Sequence, residues 1–259
     1  MWEVILANDL MNRNIVVPPK KDNTKNKAYV GAYVKDVQTG MHKWVVSFDL
    51  NSLYPHLIMQ YNVSPETILT GITQQCGIDN LLDKKIDLDK FYEKDITIAA
   101  SGQAFRKDVQ GFLPRLMQEK YDNRVIFKKK MIEAKKKLEK ETDPKKIDKL
   151  QKEADSYGNR QLAMKLMLNS VYGAFGNPYF RFYDLRISEA ITLGGQFSIR
   201  WAETTVNNYL NQILETKEVD YVLASDTDSL YITLDALVKK VFPEDVETSK
   251  VIDFLDKVC

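Results

Sequence analysis

Two aspartates, Asp226 and Asp228, lie one residue apart in the stretch YVLASDTDSLYITL, which spans residues 221–234. The flanking residues are apolar and β-branched, which is typical of strands. The centre, residues 225–229, is rich in Ser, Thr and Asp and favours a turn. We therefore predict a β-hairpin with the two acids at its tip. A solvated turn alone would account for these residue types, but clustered carboxylates are also the ligands that Mg²⁺ prefers.

A third acid, Asp49, closes the apolar segment KWVVSFDL. A carboxylate at the end of a buried strand is costly unless it finds a cation or a hydrogen-bond donor. If this strand lies beside the predicted hairpin, Asp49 meets Asp226 and Asp228. Three carboxylates at one place repel each other at neutral pH unless a counter-charge is present. The combined pattern therefore favours a divalent metal site over a simple cap or turn acid.

The composition limits the class of protein and the kind of metal site that the chain can form. The chain has 259 residues, of which 44% are hydrophobic and 28% are charged, as in an ordinary globular protein. No apolar run approaches the ~18 residues that span a membrane, and the first residues lack the basic region of a signal peptide. The two cysteines and two histidines are too few for a disulfide framework or a zinc site. Any metal should therefore be held by oxygen atoms.

Several elements can be predicted around these acids. Segments 28–35 and 43–50 read as two strands joined by a turn at residues 38–40. Residues 61–112 are mixed and give no firm assignment. A helix is predicted over 186–215, ahead of the aspartate hairpin, and a final helical piece ends the chain.

Residues 113–141 and 147–173 both have helical periodicity, and TDPKK lies between them. A short polar break between two helices predicts an antiparallel helical hairpin. The whole order predicts an α+β fold, in which helices pack on one side of a mainly antiparallel sheet and the helical hairpin projects.

The predicted helical hairpin is strongly basic. Between Lys120 and Lys165 there are 15 basic and 8 acidic residues, an excess that the overall net charge of +1 hides. Such an electropositive arm suits phosphate ligands. For most of its lysines, a solvated basic face remains the simpler interpretation.

Three motifs, DLNSLYP, KLMLNSVYG and SDTDS, resemble in this order the sequence motifs of the family B (polymerase α-like) DNA polymerases. Within that family, the resemblance is to the replicative polymerases of T4-like bacteriophages. It extends into YVGAYVKDV, NVSPETI, GAFGNPYFRFYDLR and DFLDK, and it covers about residues 29–259.

The resemblance implies a DNA-directed DNA polymerase that adds deoxynucleotides to a primer 3′-hydroxyl by two-metal-ion phosphoryl transfer. It implies two Mg²⁺ ions, held by Asp49, Asp228 and the backbone carbonyl of Leu50. Asp226 matches a family aspartate that supports the site. These three aspartates are the expected catalytic residues.

The resemblance also implies a nucleotide-binding set. Backbone N–H groups of Ser52 and Leu53 would hold phosphate oxygens. Tyr54 would pack beneath the incoming sugar and disfavour a 2′-hydroxyl, although without the motif it reads as a core tyrosine. The residues expected to contact the triphosphate from the helical hairpin are Arg124, Lys128, Lys165 and Asn169. Tyr172 and Gly173 would form a platform against the nascent base pair.

The implied domains are a connector over 1–28 after a missing exonuclease domain, palm over 29–112 and 174–259, and fingers over 113–173. The thumb would be missing. The expected partners are primer–template DNA, deoxynucleoside triphosphates and other polymerase domains or chains, with no membrane. The expected location is the cytoplasm, that of a bacterial host if the gene belongs to a phage. We expect weak activity from this portion alone, because phosphate contacts supply much of the affinity for DNA.

Two residues depart from the family pattern: His56 stands where a small Ser is usual, and Ser225 replaces the common Gly. Two other functions stay open. A non-catalytic module that binds nucleic acid or a protein partner through the basic hairpin would leave the three aspartates unexplained. A metal-dependent phosphatase or cyclase would leave the register of Lys165, Asn169 and Tyr172 unexplained.

Overall fold

The structure is a computed structural model that describes residues 1–21, 28–92, 94–243 and 246–259. Residues 22–27 of the predicted connector therefore lie outside the described residues. The elements in chain order are α1 (Trp2–Asn12), β1 (Val34–Lys35), β2 (Val45–Asp49), α2 (Leu53–Gln60), β3 (Ile68–Thr73), α3 (Ile78–Leu82), α4 (Asp89–Tyr92), β4 (Ile96–Ile98), β5 (Gln103–Arg106), α5 (Phe112–Leu138), α6 (Pro144–Phe175), α7 (Leu185–Leu214), β6 (Val222–Asp226), β7 (Ser229–Thr233), α8 (Asp235–Val241) and α9 (Thr248–Val258).

The chain divides into two compact units. Unit 1 contains Met1–Gly31 and Ser52–Gly194, and unit 2 contains Ala32–Asn51 and Gly195–Cys259. The division falls within α7. Helices and antiparallel sheets occur in both units, as the predicted α+β class requires. The palm and fingers boundaries inferred from the resemblance are functional divisions, and they remain predictions.

Unit 2 is built on a four-stranded antiparallel sheet with the strand order β1-β6-β7-β2. β6 and β7 form the predicted hairpin. Burial alternates along β7: Leu230 and Ile232 are 4% and 2% exposed, whereas Tyr231 between them is 41% exposed. The buried residues of the sheet form one core with apolar residues of α7, α8 and α9. Helices therefore pack on one face of this sheet, as predicted.

β1 and β2 occupy opposite edges of the sheet, which the sequence did not predict. Each pairs with the central hairpin instead of with the other: β1 with β6, and β2 with β7. The predicted strand over 28–35 shrinks to Val34–Lys35. Two backbone hydrogen bonds extend its contact with the hairpin, from the Thr227 N–H to the Tyr33 carbonyl and from the Gln38 N–H to the Leu223 carbonyl, both at 2.9 Å.

α5 and α6 lie side by side in unit 1 and run antiparallel. Phe127 contacts Arg160, whereas Lys130, further along α5, contacts Tyr157, which comes earlier in α6. Phe127 also stacks on Tyr157, with ring centroids 6.4 Å apart. α6 starts at Pro144, inside the predicted TDPKK break. Proline is tolerated in a first helical turn, and the Asp143 carboxylate caps the helix by accepting from the Lys145 N–H at 3.0 Å.

The N-terminus of α5 is held by side chains from a loop about fifty residues earlier in the chain. The Gly111 N–H donates to Asn62 Oδ1 at 2.8 Å, the Phe112 N–H to Glu66 Oε1 at 2.5 Å and the Leu113 N–H to Ser64 Oγ at 3.3 Å. The first N–H groups of a helix lack intrahelical partners, so these acceptors satisfy them. Along the chain, the loop precedes the three-stranded sheet β3-β5-β4 and α5 follows it. The sequence did not predict this sheet.

The first helix, α1, belongs to the core of unit 1. Trp2, Leu6 and Leu10 are buried there, and the Trp2 indole N–H donates to the Met167 carbonyl at 3.2 Å. This part of the predicted connector is therefore packed by its apolar residues rather than loosely attached. Among the helices that the structure describes, none is both long and apolar enough to cross a bilayer.

A partly buried ion cluster fixes β1 in unit 2. The Lys35 ammonium lies 2.5 Å from Glu203 and 2.6 Å from Asp220. Burial alone would lower the pKa of Lys35, but its hydrogen bonds to both carboxylates give a net rise. Burial would raise the pKa of Asp220, but hydrogen bonds from Lys35 and Asn207 give a net fall. Side-chain charge thus adds to the backbone pairing that holds β1 to its neighbours.

We predict that Lys35→Met lowers the free energy of unfolding at pH 7 by about 1.5–3 kcal/mol, because two charge-assisted hydrogen bonds disappear. Asp220, whose pKa is lowered by folding, contributes stability above the ordinary aspartate range and loses it as pH falls through that lowered pKa. Lys35, whose pKa is raised, loses its contribution as pH rises through the raised pKa. Urea titrations should therefore show the largest difference from wild type between about pH 5 and pH 9.

Lys152→Met is the matched control, because the Lys152–Asp148 pair is exposed at both ends and such pairs contribute little. A Lys35→Met protein as stable as the control at pH 7 would contradict the structural role of the cluster.

Candidate active site

Asp49 and Asp226 flank β7 on the same face of the unit 2 sheet. Asp49 is paired with Ser229, and Ser229 is paired with Asp226. Paired residues in an antiparallel sheet point to the same side. The Ser229 hydroxyl lies 3.5 Å from Asp49 Oδ2. Asp226 is two strand spacings from Asp49, or about 10 Å between backbones, so β7 separates these two acids.

Asp228 lies in the two-residue turn between β6 and β7, at the same end of the sheet. Thr227, the other turn residue, has φ 56°, and the Asp228 N–H donates to the Asp226 carbonyl at 2.6 Å. The Leu50 N–H donates to the Asp228 carbonyl at 2.7 Å. The strand that ends in Asp49 therefore lies beside the hairpin, which was the condition set by the sequence, and the residue after Asp49 is hydrogen-bonded to Asp228.

The three acids differ in exposure. Asp49 and Asp226 are exposed, and Asp228 is half-buried. Thr227 donates its hydroxyl to Asp226 Oδ1 at 2.9 Å. Within the described ranges, no group of three or more His, Cys, Asp or Glu side chains is arranged to hold a metal ion. The structure therefore brings Asp49 and Asp228 together through their backbones and does not gather all three carboxylates around one point.

Ser225 lies on the opposite face from the acids. It is 1% exposed and pairs with Leu230, within the core of unit 2. Its hydroxyl has no hydrogen-bond partner among the described residues. A buried hydroxyl without a partner costs free energy of folding, so Ser225 places a polar atom in an apolar environment directly before the acids.

A second group of candidate residues lies in unit 1, where α2 begins. Ser52 is the N-cap of α2 and has the left-handed conformation φ 57°, ψ 45°. Arg124 on α5 donates from Nη1 to the Ser52 hydroxyl at 3.0 Å. Tyr54 packs against Tyr172 on α6 in an edge-to-face arrangement, with ring centroids 4.8 Å apart. Four of the predicted nucleotide-binding and platform residues are thus in contact in pairs.

The remaining predicted residues of the helical pair are exposed. Lys128 lies one helical turn after Arg124, and Lys165 and Asn169 lie one turn apart on α6. Gly173 is also exposed, and a methyl group added there would meet no atom within 4 Å. Leu53, the first residue of α2, is half-buried.

Tyr29 is a neighbour of the platform that sequence reasoning missed. Its hydroxyl lies 2.7 Å from the position that a Cβ on Gly176 would occupy. Burial raises the pKa of Tyr29, and the nearby Tyr172 raises it further. The only signal in the sequence was its place in YVGAYVKDV, a segment that carried similarity but no assigned role.

The comparison with family models matches DNA polymerase family B over residues 2–242. The chain belongs to DNA polymerase family B.

Individual family B members show how much of such a protein the chain covers. It is 32% identical to the DNA-directed DNA polymerase of Escherichia phage RB69, over 99% of this chain and 32% of that protein. It is 30% identical to the enzyme of the same name from Enterobacteria phage T4, and 30% identical to a DNA polymerase from Thermococcus gorgonarius. The chain spans about a third of the length of these curated relatives.

A solved structure supports the family B fold independently. The family B DNA polymerase from the hyperthermophilic archaeon Pyrobaculum calidifontis matches with a TM-score of 0.55 and 24% identity, over 92% of this chain and 27% of that one. The mixture of helices and antiparallel sheets is therefore the fold of part of a family B polymerase.

We predict that Ser225→Ala raises the free energy of unfolding by about 1 kcal/mol, because it removes a buried hydroxyl that has no partner among the described residues. Ser64→Ala is the matched control. Ser64 is equally buried, but its hydroxyl accepts from Leu113 and donates to Glu66, so we expect a loss of about 1 kcal/mol there. Chemical denaturation measures both changes, and a destabilised Ser225→Ala protein would contradict the assignment.

Gly173→Ala and Gly176→Ala should have opposite effects on thermal stability. Alanine at 173 meets open space and favours the helix by up to about 1 kcal/mol relative to glycine. Alanine at 176 collides with the Tyr29 hydroxyl, so the transition temperature should fall. Calorimetry of the two variants compares the sites directly. A fall at 173 equal to that at 176 would show that the space beside Gly173 is filled.

Proposed function

We propose that this chain is the palm and fingers portion of a DNA-directed DNA polymerase, which extends a primer 3′-hydroxyl with deoxynucleotides. The observation that carries this proposal is the pairing of β2 with β7 in a chain of DNA polymerase family B. That pairing brings Asp49 to the hairpin of Asp226 and Asp228. In this proposal the antiparallel pair α5 and α6 corresponds to the fingers, and the unit 2 sheet belongs to the palm.

The acids suit a divalent metal ion. Two carboxylates, Asp49 and Asp228, and the carbonyl of Leu50 form a set of oxygen ligands of the kind that Mg²⁺ prefers. Because the third ligand of this set is a backbone carbonyl, the set does not require three acidic side chains around one point. Asp226 supports the turn, because its carbonyl accepts from the Asp228 N–H. Asp49, Asp228 and the Leu50 carbonyl would hold Mg²⁺, which when bound would lower the pKa of an attacking hydroxyl and neutralise a leaving pyrophosphate.

The beginning of α2 would receive the triphosphate. The Leu53 N–H is at the first position of a helix, where it lacks an intrahelical partner and can donate to a phosphate oxygen. The Ser52 N–H would add a second donor. Arg124 brings positive charge to the Ser52 hydroxyl. Lys128, Lys165 and Asn169 would complete the contacts with the phosphates, where positive charge offsets the charge that develops during transfer.

Tyr54 would select the sugar, and Tyr172 with Gly173 would contact the nascent base pair. The edge-to-face contact with Tyr172 restrains the Tyr54 ring, which therefore presents a fixed surface to the nucleotide. A rigid ring excludes a 2′-hydroxyl better than a mobile one. The open space at Gly173 leaves room for a flat base pair.

The substrates of the proposed activity are primer–template DNA and deoxynucleoside triphosphates. The relatives are about three times as long as this chain, so we propose that exonuclease and thumb portions act together with it. A phage enzyme of this kind would work in the cytoplasm of its bacterial host.

Thermal unfolding with added ligands tests the proposal. We expect that a deoxynucleoside triphosphate with Mg²⁺ raises the transition temperature in the presence of primer–template DNA. Asp49→Asn and Asp228→Asn should abolish this Mg²⁺-dependent shift. Asp253→Asn is the matched control, because Asp253 is an exposed acid on α9 of the same unit and its loss changes the net charge equally.

Two outcomes would reject the proposal. One is a shift that the two active-site variants keep at the wild-type size. The other is a shift caused by DNA alone, with no response to the triphosphate, which would favour a nucleic-acid-binding module built on the basic α5–α6 pair.

A further inference from the structure

His56 makes a specific contact beneath the proposed phosphate-binding turn. Its Nδ1 atom lies 2.9 Å from the carbonyl oxygen of Ser52. A carbonyl oxygen only accepts hydrogen bonds, so Nδ1 must carry a proton. The backbone N–H of His56 donates to the same oxygen at 3.1 Å. The Ser52 carbonyl therefore receives two donors from one residue.

The imidazole is itself held in place by α5. Its ring packs edge-to-face against Tyr121, with ring centroids 4.7 Å apart and planes at 81°. Tyr121 precedes Arg124 by three residues, so the two side chains lie on neighbouring positions of one helix face. The start of α2 is thus tied to α5 twice, through the Ser52 hydroxyl and through His56.

Both attachments reach Ser52, whose backbone conformation is energetically unfavourable. Ser52 has a left-handed conformation, which costs a residue other than glycine roughly 1–2 kcal/mol. The peptide bond between Ser52 and Leu53 is trans, since the described residues contain no cis peptide. In a trans peptide the carbonyl and the following N–H point in opposite directions. Fixing the Ser52 carbonyl therefore fixes the direction of the Leu53 N–H.

We infer that His56 is a positioning residue for the incoming nucleotide: it holds the Ser52 carbonyl so that the Leu53 N–H points at a triphosphate oxygen. This inference rests on the proposed function, under which the Leu53 N–H contacts the triphosphate. His56 itself does not touch the nucleotide. Its two contacts make separable contributions, because the ring faces Tyr121 and the Nδ1–H group faces Ser52.

Two substitutions separate these contributions. His56→Phe keeps an aromatic ring for Tyr121 and removes the donor. His56→Asn removes the ring and keeps an N–H group near the place of Nδ1. We expect His56→Phe to raise the Kd for a deoxynucleoside triphosphate with Mg²⁺ about fivefold, the effect of one lost hydrogen bond. His56→Asn should stay within about twofold of wild type. The Kd for a nucleoside monophosphate should change in neither variant.

His42→Phe is the matched control. His42 is exposed, and its ring also contacts a carbonyl four residues earlier, that of Gln38 at 3.0 Å. The same change of side chain there should leave the Kd for the triphosphate unaltered.

A second measurement tests the geometry without any nucleotide. The ¹⁵N shifts of the His56 imidazole should show a proton on Nδ1 in the neutral ring. A neutral ring protonated only on Nε2 would overturn the inference. Equal triphosphate affinity in wild type and His56→Phe would also overturn it and leave the proposed function standing. A wild-type protein that binds no triphosphate would reject the proposed function, and with it the role of His56, even if Nδ1 is protonated.

Discussion

The register of β2 against β7 is the constraint on which the carboxylate site depends. Five consecutive pairs, from Val45–Thr233 to Asp49–Ser229, define it. Because side chains alternate along a strand, a slip of one residue would turn Asp49 towards the helices of unit 2. On β2, Val46 pairs with Ile232 and packs against the unit 2 core, and it opposes that slip, since the slip would turn it away from the core. The position of the acid is therefore set by hydrophobic residues that take no part in chemistry.

Local patterns in the sequence were sufficient for elements whose stabilising contacts are close in sequence. The β6–β7 hairpin, with Asp226 and Asp228 at its tip, and the two long helices were predicted from periodicity and turn composition. For the edge strand β1 the sequence predicted a strand over 28–35, but neither its short length nor its pairing with β6. β1 is held in part by Lys35, whose partners Glu203 and Asp220 are 168 and 185 residues away. Charge pairs at such separations leave no trace in any local window.

The same limit applies to the candidate site. Motif resemblance named Ser52 and Arg124, but the left-handed backbone of Ser52 and its contact with Arg124, 72 residues away, became visible only in three dimensions. Likewise, the segment NVSPETI, residues 62–68, was recognised as similar to the family, but its structural role was not predicted. Asn62, Ser64 and Glu66 satisfy the first N–H groups of α5, and capping of a helix by a distant loop has no sequence signature at the helix itself.

The capping loop fixes α5 at its N-terminal end. With its first turn fixed near Leu113, the helix extends for about 37 Å to Leu138, at 1.5 Å per residue. A rotation of about 5° at the fixed end would sweep Leu138 through roughly 3 Å, and Arg124 through less than half that distance. Arg124, which reaches Ser52, lies less than halfway along this length, so any such rotation would displace it less than half as far as the lysine-rich outer end.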